Sequence, residues 1–303
     1  LSGTNRRARR GWHGRVEANR EVAVAERIVV GVVDTSAGRR ALEWAAQRAR
    51  SRKATLLLAS VVGGAVGAVG EGPVVDAAIA AARSLLEEHA ETLKAQGLDV
   101  DIVVLRGDPV RQLVSTTAGA NLLVIGSDFR PDDADSPRRG AHGLRIVADS
   151  SCPVVVIPDI EAGDRRGVVV GVDGSPISEA AVAFAAAEAD RLGEPLIAVT
   201  VWTPVPLPRG ARSYPEQYLS SMQELAEETL AVALAGLRQT YPDLELQPRV
   251  ERGYPSEVIN RAAAAASLAV VGSHGRGAVA RFLLGSISHE VLAALVAPTA
   301  VVR

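Results

Sequence analysis

The sequence predicts two open, doubly wound, mostly parallel five-stranded α/β sheets in tandem, and three observations predict it. Landmark segments recur in the same order across two halves of the chain. Short, nearly continuous runs of Val, Ile, Leu and Ala alternate with helix-length segments. A charged, glycine-containing stretch, 159–166 (DIEAGDRR), separates the halves.

The repeat is specific. Residues 27–33 (RIVVGVV) recur 140 positions on as 167–173 (GVVVGVD), and 55–61 (TLLLASV) recur at the same spacing as 195–201 (PLIAVTV). Residues 106–109 (RGDP) recur as 252–255 (RGYP), and 122–127 (LLVIGS) as 268–273 (LAVVGS), both 146 positions on. Finally 152–157 (CPVVVI) recur as 297–302 (APTAVV), 145 on. With 100–105 and 246–250, these runs give five strands per half, read as buried on both faces of a parallel sheet. Between them the pattern predicts helices over 39–50, 76–96, 110–118 and 141–150, then 178–192, 216–239, 257–266 and 286–296. Right-handed crossovers follow from strand–helix–strand alternation. The organisation is a basic extension 1–26, a first domain 27–158, a linker 159–166 and a second domain 167–303.

Composition excludes several classes of function. Of 303 residues, 48% are hydrophobic and 22% charged, which rules out wholesale disorder. Aromatics at 3% leave few rings for base stacking, and a net charge of −2 supplies no field to recruit a polyanion, so nucleic acid is not the expected partner. No apolar stretch approaches the ~20 residues of a membrane span. Cys152 is the single cysteine, which removes disulfides and cysteine-based zinc clusters. The 31 arginines against two lysines read as the coding bias of a GC-rich genome. Six of those arginines fall within residues 1–20, which lack the apolar face of a targeting helix and read as an extension. The expected setting is soluble and cytoplasmic.

In a doubly wound sheet, ligands bind beyond the carboxyl ends of the strands, where the winding reverses. The loops after the first and fourth strands of each half are therefore the places to search. In the second half these are Asp173-Gly174-Ser175 and the run 272–286, GSHGRGAVARFLLGS, whose glycines and serine have the spacing G-x2-G-x9-G-S. Gly272 ends a buried strand. Gly275 is expected to take positive φ and let backbone approach a ligand with no Cβ in the way. Gly285 and Ser286 open a helix whose free amides and positive dipole end suit phosphate oxygens. Arg276 adds charge at the rim.

These motifs, together with V-G-V-D-G-S after the first strand, resemble the universal stress protein family, in two copies covering nearly all of 27–303. The resemblance implies an adenine-nucleotide-alpha-hydrolase-like fold and an ATP site, with or without Mg2+, at the switch point of the second half. It implies that Gly171 and Asp173 border the adenosine and that the Val201 backbone meets the adenine edge. Gly272, Gly275, Gly285 and Ser286 would hold ribose and phosphates. A carboxylate suits a ribose hydroxyl or exocyclic amine, because both donate and it only accepts; Asp173 can equally cap its own turn.

The first half departs from this pattern. Its counterpart residues are Gly31, Asp34, Val61, Gly126 and Gly140, but a gapless alignment puts Val33 at the Asp173 position, with Asp34 one place late. Phe129 replaces the second glycine, Ala141 follows Gly140 in place of the serine, and the loop carries Asp128, Asp132, Asp133 and Asp135. The expectation is a degenerate site or one for a less anionic ligand, with Arg138 and Arg139 partly offsetting the acids and Asp34 able to swing inward.

Elsewhere the chemistry is sparse. No phosphate-binding G-x4-G-K-[ST] loop occurs, and His13, His89, His142 and His289 have no metal-ligand spacing. His274 lies inside the glycine loop, where it either touches phosphate or caps a turn. Cys152 reads as a small buried thiol. The resulting expectation is a nucleotide-dependent stress-response module, acting through an unidentified protein partner, with catalysis limited to weak ATP hydrolysis. An adenylyl- or phosphoryl-transfer enzyme and an interaction scaffold are the alternatives. The apolar last strands, 153–157 and 298–302, are expected to pair the halves about a pseudo-twofold axis, as a duplicated homodimer would, while association of two chains stays open.

Overall fold

The computed structural model describes residues 26–63, 71–127, 141–160, 163–207, 213–275 and 284–303. The expectations made for the Arg-rich 1–20, for Asp128, Phe129, Asp132, Asp133, Asp135, Arg138, Arg139 and Gly140, and for Arg276, lie outside those residues.

The first half runs β1 (Arg27–Gly31), α1 (Ser36–Arg52), β2 (Thr55–Val62), α2 (Glu71–Ala95), β3 (Val100–Arg106), α3 (Pro109–Thr116), β4 (Leu122–Gly126), α4 (Ala141–Asp149) and β5 (Val154–Ile157). The second runs β6 (Val168–Val172), α5 (Pro176–Leu192), β7 (Leu196–Trp202), α6 (Glu216–Ala233), α7 (Leu237–Thr240), β8 (Leu246–Arg252), α8 (Pro255–Ala263), β9 (Leu268–Gly272), α9 (Ser286–Ala294) and β10 (Thr299–Val302). Side-chain caps start several helices: Thr35 Oγ1 accepts from Gly38 N, Asp108 Oδ1 from Arg111 N, and Ser175 Oγ from Ser178 N.

The strands form one ten-stranded sheet in the order β3-β2-β1-β4-β5-β10-β9-β6-β7-β8. Each half is parallel throughout, and the halves join where β5 and β10 pair antiparallel, Val155 opposite Ala300. Period-2 alternation divides the core between the two faces. Ile28, Val30, Leu122, Val124, Val168, Val170, Leu268 and Val270 face α1, α2, α5 and α6 in a single cluster spanning both halves. Val29, Leu123, Ile125, Val154 and Val301 turn the other way, toward α3, α4 and α9.

Two expectations need correction. The outermost strands β3 and β8 are mostly half-buried or exposed, not enclosed on both faces, because each has a neighbour on one side only. Edge position also explains how Pro248, which has no N–H to donate, is tolerated in β8. The helix expected over 216–239 is broken: Gly236 sits at φ +83°, a left-handed geometry that ends α6 and restarts one short turn as α7.

Leu268 is 1% exposed at the start of β9. Leu268→Ala is expected to lower stability by about 2–5 kcal/mol, read as a lower urea midpoint with an unchanged denaturant slope.

Candidate functional site

In the second half, β6 and β9 are hydrogen-bonded neighbours whose connections leave in opposite directions, so their carboxyl ends part to form a crevice. A cleft of about 500 Å³ lies there. Gly171, Asp173, Val201, Gly272, Gly275, Gly285 and Ser286 all line it. Seven residues from four separate stretches of sequence are thus brought to one place.

Local geometry explains how. Asp173 follows β6, and its Oδ1 accepts a 2.9 Å hydrogen bond from Ser175 N, closing the turn that starts α5. Its backbone N donates to the Oγ of buried Ser178 at 3.2 Å. The carboxylate is therefore held by its own loop with Oδ1, while Oδ2 lies against Gly275. A Cβ at position 275 would overlap that oxygen. Gly275 does not take positive φ, contrary to expectation; a side chain there would have to displace the Asp173 Oδ2, which lies close to its Cα.

Both ends of the glycine loop are tied to one atom. The Ser273 carbonyl accepts from Gly285 N at 2.7 Å and from Ser288 Oγ at 3.0 Å. Gly285 is the N-cap of α9 and supplies no side-chain cap, so the first-turn amides of that helix are left to face the cleft mouth. Ser286, the first residue of the helix, is exposed there. His274 also lines the cleft, its Nδ1 hydrogen-bonded to buried Ser273 Oγ at 2.9 Å. Val199, Ile259 and Pro255 supply an apolar wall. Sequence reading missed Ser178, Ser273 and Ser288, whose burial beside each loop the sequence does not signal. Asp173 and His274 are the titratable side chains among the described lining residues, and none of those residues is Lys or Arg.

The first half has a cavity of about 550 Å³ at the equivalent place, lined by Gly31, Val61 and Gly126. Asp34 is not part of it. It sits one position past the Asp173 equivalent and turns its side chain out, where it is 74% exposed and pairs with Arg39 at 2.8 Å. Among the described residues, the carboxylate lining this cavity is Asp159, from the stretch read as linker. Its Oδ2 accepts from Ser36 Oγ at 2.5 Å, and its Oδ1 lies 3.3 Å from Arg40 Nη1. Asp159 thus places negative charge at the start of α1, as an N-terminal helix dipole favours.

Among the described residues, no group of three or more His, Cys, Asp or Glu is placed to hold a metal ion. No helix among them is long and apolar enough to cross a membrane.

Two parallel α/β units joined edge to edge, each with a cavity at its switch point, define a tandem doubly wound protein with a glycine-loop cleft. Comparison supplies the family. The model of the universal stress protein family matches residues 25–158 and again 165–303, and the chain belongs to that family. A universal stress protein of Mycolicibacterium smegmatis is 33% identical over 289 residues, 91% of this chain and 96% of its own. One from Mycobacterium tuberculosis is 37% identical over 210 residues, 68% of this chain and 70% of its own. The crystal structure of a universal stress protein from Archaeoglobus fulgidus has the same fold, with a TM-score of 0.64 at 20% identity over 91% of this chain and 98% of that one.

Cys152 is buried before β5, and desolvation pushes its thiol up from 9.0 to about 11. Between those values the native thiol keeps a proton that the unfolded chain has begun to release, so its burial costs stability as pH rises through that window. At pH 8 the native thiol is expected to alkylate with iodoacetamide at least ~100-fold more slowly than in urea-unfolded protein, followed by mass spectrometry.

Proposed function

We propose that the protein is an ATP-binding regulatory module of the stress response, with the nucleotide held mainly by the second half. One observation carries this reading: the glycine loop, the uncapped amino end of α9 and the Asp173 carboxylate converge on one cleft. Its volume of about 500 Å³ falls in the range of roughly 300–1,000 Å³ typical of small-molecule sites.

The division of labour follows from the chemistry of the lining groups. Asp173 accepts from donors on the sugar or base. Val199, Ile259 and Val201 flank the flat apolar ring, and the Val201 main chain runs along its edge. The amides that open α9, with the Ser286 hydroxyl, donate to phosphate oxygens, where the helix dipole also favours negative charge. Any Mg2+ would be held chiefly by phosphate oxygens and water, since Asp173 is the lone carboxylate among the described lining residues. Bound ATP supplies a polyanionic anchor at the amino end of α9.

The chain has no G-x4-G-K-[ST] phosphate loop of the kind that carries rapid phosphoryl transfer, and the reading is of binding with at most weak hydrolysis. The first half, with Phe129 at the second glycine position, is read as degenerate or suited to a less anionic ligand. The reading includes units at 27–158 and 167–303, a linker at 159–166, a cytoplasmic setting and output through a protein partner or a second copy of the chain.

Purified protein incubated with labelled ATP should retain the nucleotide without appreciable turnover. Gly275→Val, which forces a side chain into the Asp173 carboxylate, should weaken retention by at least ~10-fold, about 1.4 kcal/mol. Phe129→Gly alone should change it little. Unaltered affinity in the Gly275 variant would remove the site.

A further inference from the structure

α1 and α5 meet on one face of the sheet, over the β5–β10 junction. The 140-residue repeat spacing makes Arg48 of α1 and Glu188 of α5 equivalent positions, just as Trp44 is equivalent to Phe184. These equivalent residues meet each other: Arg48 Nε donates to Glu188 Oε1 at 2.9 Å. A contact between equivalent positions lies at the pseudo-twofold axis that also sets Val155 opposite Ala300.

Both groups are buried, the Arg48 side chain 6% exposed and the Glu188 side chain 0%. Each half supplies part of what its own charge needs. Glu26 pairs with Arg48 Nη1, and Arg191 donates from Nε to Glu188 Oε2 at 2.9 Å. Across the junction Arg48 Nε donates to Glu188 Oε1, and Arg52 Nη2 lies 3.8 Å from the same oxygen. Around them Arg48 stacks over the Phe184 ring at 5.8 Å, Arg191 over the Trp44 ring at 5.9 Å, and Arg52 Nη2 donates to the Ala187 carbonyl at 3.1 Å.

If two first halves met through this face, two guanidinium Nε donors would confront each other with no acceptor. If two second halves met, two carboxylate oxygens would do so with no donor. Each charge would keep the partner from its own half but bury a donor or an acceptor with nothing to meet it, which is costly in an interface. We propose that Arg48 and Glu188 make this face selective, so that a first half accepts a second half and rejects a second copy of itself. The surface that a duplicated homodimer would leave symmetric is thereby committed to one kind of partner: a second half, from the same chain or another.

The test uses the folded full chain with a protease site inserted between Gly163 and Asp164, cut after folding. Native mass spectrometry then identifies the pairs present after subunit exchange, since the halves differ in mass. Unlike pairs should exceed like pairs by at least ~10-fold in the parent protein. In R48M/E188M, where the charges are gone and apolar bulk is kept, partner choice should approach random. In the uncut chain, R48M and E188M should each lower the thermal midpoint by about 5–10 °C, and the double variant should lose less than the sum. Like pairs as frequent as unlike ones in the parent, exclusive unlike pairing in the double variant, or strictly additive losses in the uncut chain would overturn the proposal.

Discussion

The antiparallel pairing of β5 with β10 is the constraint on which the rest of the structure depends. All four residues of each strand are buried, and either strand left alone would present a row of apolar side chains and unpaired backbone groups to water. Pairing them turns two five-stranded sheets into one, lets a single core face extend across both halves, and fixes their relative rotation. It also decides where chemistry can occur. Because the strands of one half run opposite to those of the other, the two switch-point cavities open at opposite ends of the sheet. They cannot share a ligand, and each must be understood from its own lining.

Those linings differ in how polar groups are used up. In the second half, the Ser273 carbonyl takes two donors and Asp173 Oδ1 takes one, so the loops are tied down by their own atoms. Among the described residues, the amino end of α9, the His274 side chain and the outer face of the Asp173 carboxylate face the cleft. In the first half, Asp159 comes in from beyond β5 and engages Ser36 and Arg40, placing its charge at α1. Two cavities of similar volume therefore offer different electrostatics, and volume alone says nothing about what each would hold.

The sheet was legible because parallel strands buried on both faces write themselves as continuous apolar runs, and a repeated run is hard to mistake. The edge strands were less so: 246–250 passes as a strand, but nothing in it says that only one side is covered. Gly236 was hidden because a single glycine within a helical pattern is tolerated until tertiary packing makes it a break. Most of the cleft was readable from glycine spacing, although the reason for Gly275 was not, since it depends on the Asp173 carboxylate reaching over from a different loop. Asp159 was out of reach for a related cause. A charged residue in a linker looks like solvent-facing chain, and its place at α1 is set by contacts with Ser36 and Arg40 more than a hundred residues away in sequence.

The junction helices show what tandem linkage permits that symmetry does not. On a true twofold axis every residue meets itself, so a buried charge there can only meet its own sign. A chain that carries both copies escapes the restriction, because equivalent positions are separate residues. Arg48 opposite Glu188 uses that freedom, and the partner that Arg48 finds in its own half, Glu26, has Arg166 as its counterpart 140 positions on. The half-buried aromatic ring in each helix, Trp44 and Phe184, needs no such freedom: rings are compatible with themselves, and both copies keep one. Charge has diverged where symmetry would have penalised it, and apolar shape has been retained where symmetry was harmless.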